Sequence, residues 1–88
     1  MFQIENLVFD EMDIQTLSTA DRDYLQQFTA VETLSFNTTQ LKSLANLPVL
    51  GSLVRLELAG NSLGGGCLSE LGKYAETLRT LKVQENQF

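Results

Sequence analysis

The sequence predicts an α/β chain wound as a solenoid of about four repeats, with parallel strands on the concave face and helices or loops on the convex face. Three observations carry this. An eleven-residue pattern, leucine at its first, fourth, sixth and eleventh positions and asparagine at its ninth, fits "LVRLELAGNSL" over residues 53–63. The pattern also starts at residues 4, 31 and 78, so the periods are 27, 22 and 25 residues, within the span of about 20–29 that leucine-rich repeats use. Between the motifs, apolar residues return at helical or turn spacing. Residues 1–88 are therefore read as a single leucine-rich repeat domain.

The elements follow in order. In the first motif Leu7 and Phe9 stand two apart, so both point to one side of a strand, and Met12 holds the asparagine position. The return segment that follows has Ser18 and Asp21 at capping-box spacing, and Leu17, Tyr24 or Leu25, and Phe28 at helical spacing. The second motif supplies Leu34 and Phe36, with Thr39 at the ninth position; its return, "KSLANLPVLGS", is short and carries Pro48, which suits a turn or a single 3₁₀ loop. The third motif supplies Leu56, Leu58 and Asn61. Gly64, Gly65 and Gly66 then let the backbone turn sharply, and Leu68, Leu71 and Ala75 recur at helical spacing. The fourth motif supplies Leu81, Val83 and Asn86 and places Phe88 at its eleventh position.

Asparagine at the ninth position has a physical task. Its amide donates and accepts, so it satisfies backbone groups turned inward after the strand, which are costly to bury unpaired. Asn61 and Asn86 form two rungs of such a structural ladder; Thr39 does part of the work and Met12 none, so the ladder is weakest in the first motif.

Composition narrows the function. A hydrophobic share of 43% and a charged share of 19% are those of an ordinary globular chain. No stretch approaches the roughly 20 apolar residues of a membrane span, and the N-terminus lacks a signal-peptide pattern. The lone Cys67 has no internal disulfide partner and sits at core spacing with Leu71 and Tyr74, which favours an intracellular reading. Of the net charge of −5, residues 1–32 carry seven carboxylates against Arg22 alone, while the rest balances near zero. There is no basic stripe for direct nucleic-acid binding; an acidic end attracts a basic protein. The chain has no histidine, which removes the commonest acid–base group and the commonest transition-metal ligand. The glycine triplet lacks the residues of a phosphate loop, and the pairs Asp10–Glu11 and Asp21–Asp23 lack the calcium-loop pattern. A non-enzymatic chain without cofactor or metal is expected.

What remains is the outward side of the strands. In register, the third motif positions give a column of Asn6, Thr33, Arg55 and Thr80; the fifth give Val8, Ser35, Glu57 and Lys82; the seventh give Asp10, Asn37, Ala59 and Gln84. The candidate protein-binding residues are Asp10, Glu32, Ser35, Asn37, Arg55, Glu57, Lys82 and Gln84, with Glu57 and Lys82 expected to pair across the column.

The stretches "SLANLPVLGSLVRLELAGNSLGGG" and "LRTLKVQEN" resemble the leucine-rich acidic nuclear phosphoprotein family: its N-L-P-x-L turn maps to residues 46–50, its strand ending in x-x-N to residues 56–61, and its glycine pair to residues 64–66. The resemblance implies a nucleocytoplasmic adaptor that binds histones or inhibits a serine/threonine phosphatase. Repeat proteins of ribonucleoprotein and axonemal assemblies share parts of these motifs, so a structural subunit is the alternative. The family's acidic tail and its capping segments have no counterpart before residue 4 or after Phe88. A fragment, or a homodimer through open solenoid edges, is expected on that ground.

Overall fold

The computed structural model describes residues 4–74 and 76–87, with the Leu68 side chain left aside. The expected places of Ala75, Phe88 and the Leu68 side chain lie outside the described residues. The chain is a small α/β structure with one four-stranded parallel sheet. Its strands are β1 (Asn6–Val8), β2 (Thr33–Ser35), β3 (Arg55–Glu57) and β4 (Thr80–Lys82), paired in chain order. Register runs Asn6, Thr33, Arg55, Thr80 in one row and Val8, Ser35, Glu57, Lys82 in another. These are the columns the motif predicts.

Each strand is three residues long, yet pairing continues beyond it. Phe9 N–H donates to Ser35 O at 2.8 Å, Phe36 N–H to Glu57 O at 2.8 Å and Leu58 N–H to Lys82 O at 2.7 Å. Two positions later in each of these three motifs, the chain bonds again: Glu11 N–H to Asn37 O, Thr38 N–H to Ala59 O and Gly60 N–H to Gln84 O, at 2.9–3.0 Å. The donors of this second set share a further property. Glu11, Thr38, Gly60 and, in the fourth motif, Glu85 all have φ between 56° and 70°. The eighth motif position is thus a left-handed kink that turns the chain inward from the sheet, and only Gly60 adopts it without steric cost.

The core is the inward side of the sheet. Val31, Leu34, Phe36, Leu41, Leu53, Leu56, Leu58 and Leu63 are all at most 1% exposed. Outer motifs are covered less well: Leu7, Phe9, Ile14, Leu78 and Val83 are only partly buried, and Leu81 is 39% exposed. Leu81 is the more exposed because, among the described residues, β4 has a neighbouring strand on one side alone.

The first return is helix α1 (Thr19–Leu25). Its capping box is complete: Asp21 N–H donates to Ser18 Oγ at 3.0 Å and Ser18 N–H to Asp21 Oδ2 at 2.9 Å, which satisfies two amides that a helix start leaves free. Leu25 rather than Tyr24 faces the core; Tyr24 is exposed and meets Phe28 edge-on, with ring centroids 5.4 Å apart. The second return has turns and no helix, with Leu44, Leu47 and Leu50 buried every third residue. The third is a 3₁₀ helix (Gly65–Tyr74), tighter than apolar spacing alone implies. Its glycine-rich start gives little α-helical propensity, and Tyr74, whose hydroxyl donates to Pro48 O, pins its far end in the core. The expected sharp turn at Gly64, Gly65 and Gly66 is also corrected. None lies in the left-handed region, and a Cβ on any of them meets open space. Gly60 is the glycine the fold requires: its φ is 70°, and an added Cβ would stand 3.0 Å from Thr38 Oγ1.

Candidate functional site

Two columns of polar side chains flank the left-handed position, and they face opposite ways. The ninth position faces inward. Asn61 is 7% exposed; its Oδ1 accepts Thr39 N–H at 2.9 Å and Leu41 N–H at 3.1 Å, and its Nδ2 donates to Phe36 O at 2.8 Å and Leu58 O at 3.0 Å. Asn86 repeats the pattern one motif on, accepting Leu63 N–H at 3.0 Å and donating to Leu58 O and Val83 O at 2.7 and 3.0 Å. Thr39 is fully buried, and its hydroxyl has one proton to share between Phe36 O at 3.0 Å and Asn61 Oδ1 at 3.1 Å. Met12, at the same motif position, is 53% exposed. The structural ladder of Asn61 and Asn86 therefore stands as the sequence implies, weakest at the first motif.

The seventh position faces outward. Asp10, in the turn after β1, accepts the Ser35 hydroxyl at 2.5 Å and Asn37 N–H at 2.9 Å through Oδ1, and Asn37 Nδ2 reaches its Oδ2 at 3.4 Å. Asn37 then spans to the next motif. Its Nδ2 donates to Glu57 Oε1 at 2.9 Å, and its Oδ1 accepts Ala59 N–H at 2.9 Å. One amide thus ties two carboxylates across three motifs. On β3, Arg55 Nε donates to Glu57 Oε2 at 2.5 Å. The Arg55 and Asn37 hydrogen bonds hold the Glu57 carboxyl below the ordinary carboxylate range against its partial burial, with the charges of Arg55 and Lys82 adding to the pull.

Six of the eight candidate binding residues meet on this surface in rows, though not as the sequence alone arranges them. Ser35 is 3% exposed, covered by Asp10 and Asn37, so it supports the surface instead of presenting itself. The ion pair of Glu57 is with Arg55 on its own strand; Lys82 lies beside Glu57 in register and contributes only its charge. Gln84 is exposed in the turn after β4, where its carbonyl accepts Gly60 N–H. Glu32 is exposed just before β2, engaged through its backbone with Glu5, Val54 and Arg55, and belongs to none of these rows. Sequence reasoning passed over Met12 and Tyr24, two large exposed side chains at the lips of an apolar cleft. The available signal was an apolar residue where the ladder asks for asparagine.

Among the described residues no group of three or more carboxylates and cysteine could hold a metal ion, and no helix is long and apolar enough to cross a membrane. Cys67 is partly exposed, with Sγ 3.8 Å from Lys42 O. Set against family models, curated proteins and solved structures, the chain matches none.

Proposed function

We propose that the chain is a leucine-rich repeat solenoid acting as a non-enzymatic adaptor, which binds a basic protein segment on the outward side of its strands. The architecture is supported by four strands stacked in chain order with the motif in register and by a left-handed turn at the same position of every motif. The observation that carries the function is the Asn37 bridge. It fixes Asp10 and Glu57 on one surface before any partner arrives, so their carboxylates need little reordering to meet lysine or arginine. The resemblance to leucine-rich acidic nuclear phosphoproteins makes core histones the first partner to test and the nucleus and cytoplasm the expected locations.

The experiment is a titration of core histones, as a folded complex, with the wild-type chain and with the double variant Asp10→Lys, Glu57→Lys. Binding that weakens with salt and falls at least about tenfold in the double variant supports the reading, because exposed charges set association and are screened over about 8–10 Å at ordinary ionic strength. Equal affinity of the two proteins removes the strand surface as the site.

A further inference from the structure

The N-terminal end of the molecule holds an apolar cleft that the strand-face reading does not use. It has a volume of about 220 Å³ and lies between the turn after β1 and helix α1. Its floor is the core itself, Leu17, Leu25 and Phe36. Its lips are Met12, 53% exposed, and Tyr24, 58% exposed, with the Asp21 carboxyl at the rim. Met12 turns outward here, where Asn61 folds inward in the third motif. In this outer motif Phe9 and Ile14 stay only partly buried, whereas their second-motif counterparts Phe36 and Leu41 are at most 1% exposed.

Size and charge define what would fill it. An apolar cavity of about 150 Å³ accommodates a benzene ring, so this cleft takes one large side chain such as phenylalanine, leucine or methionine and no folded element. Around it the charge has one sign. Glu11 and Asp13 flank Met12 in the chain, Asp21 lines the opening, and all three are exposed. Asp23, two residues on, is already paired with Arg22 at 3.2 Å. A second copy of this chain, itself at −5, would bring more carboxylate to this rim, and an anionic lipid surface would be repelled by it.

We infer that this cleft docks one large apolar side chain of a partner protein segment that carries lysine or arginine on both sides of that residue. The surface is separate from the row of Asp10, Asn37 and Glu57, so each can fail without the other.

The test uses an acetylated pentapeptide with one phenylalanine between two pairs of lysines, titrated into the chain while methyl resonances are followed by NMR. The expected result is saturable shifts at Met12, Ile14 and Leu17. An alanine-centred peptide binds at least about tenfold more weakly, and a version flanked by glutamates does not bind. Met12→Lys, a change at an exposed position, abolishes the shifts while the melting curve stays in place. Glu57→Lys leaves the preference for phenylalanine over alanine unchanged. Equal affinity for the phenylalanine and alanine peptides would overturn the inference, as would shifts confined to β3 and β4 or no saturation at all. So would cleft shifts that grow with protein concentration in the absence of peptide, which would give the cleft to a second copy of the chain.

Discussion

Replacing Asn61 tests the internal ladder most directly, and the structure sets the size of the effect. In Asn61→Ala the carbonyls lose little: Phe36 O keeps the Thr39 hydroxyl, and Leu58 O keeps Asn86 Nδ2 at 2.7 Å. The amides fare worse, because Thr39 N–H and Leu41 N–H both end on Asn61 Oδ1 in fully buried residues. Two orphaned buried donors cost about 1–3 kcal/mol each, hence about 2–6 kcal/mol together. An 88-residue chain holds only about 4–13 kcal/mol in total, so the variant sits near the edge of folding. Asn86→Ala serves as the internal control. Asn86 is half-buried and relieves a single amide, Leu63 N–H, so its loss costs about 1–2 kcal/mol. Urea unfolding followed by circular dichroism and by the fluorescence of Tyr24 and Tyr74 measures both, since the chain has no tryptophan. A loss below about 1 kcal/mol for Asn61→Ala, or one no larger than that of Asn86→Ala, refutes the ladder argument.

Backbone strain at the eighth motif position predicts a stabilised variant. Thr38→Gly relieves a β-branched residue at φ 56°, a conformation costing about 1–2 kcal/mol, offset by about 0.4–1 kcal/mol of added chain entropy in the unfolded state. A rise of about 2–6 °C in melting temperature is expected. Gly60→Ala should destabilise by at least about 1 kcal/mol through its left-handed φ and its approach to Thr38 Oγ1, and Thr38→Gly in the same chain should recover part of that loss. Tyr74 titrates well above its ordinary range because burial, then the Glu70 charge, disfavour the phenolate. Its contribution is whole below about pH 10 and is lost as pH rises further, since the unfolded phenol ionises first. Tyr74→Phe should flatten the alkaline limb of a stability profile while leaving Pro48 O without its buried donor, at about 1–3 kcal/mol. Glu57 has the opposite sign: its contribution is present above the ordinary carboxylate range and is lost as pH falls through its depressed folded value. Arg55→Met should return the Glu57 carboxyl toward the ordinary range in an NMR titration, and an unmoved resonance would exclude Arg55 as the main cause.

Strand register was legible because two periods overlap. Residues two apart share a side of a strand, and a repeat of fixed pattern brings equal positions together, so Leu34, Leu56 and Leu81 align without any structural knowledge. The partners within a column were less legible. Lys82 stands beside Glu57 across the sheet and Arg55 two residues along the strand, and the ion pair forms with Arg55, a choice the repeat pattern does not encode. The left-handed position was hidden for a related reason. Glu11, Thr38 and Glu85 carry no signature of positive φ, and Gly60 alone hints at it. Burial of Ser35 was invisible too, since it depends on two neighbours from different motifs folding over it.

Met12 is better understood as a consequence of the ladder's geometry than as a lapse in it. Each rung bonds backward: Asn61 holds Thr39, Leu41 and Phe36 of the motif before it, and Asn86 holds Leu63 and Leu58. β1 is an outer strand of the sheet, so among the described residues the ninth position of its motif has no preceding turn to hold. An asparagine there would retain only the bond to its own strand's end, while its carbonyl oxygen would face no inward amide. That freedom lets the position carry an apolar side chain turned outward, at the lip of the cleft beside α1. The seventh position runs the other way, with Asp10 and Asn37 present early and Ala59 ending the series of bridges. The outward bridges therefore run from Asp10 through Asn37 to Glu57, and their first member lies at the same acidic end of the chain as the cleft beside α1.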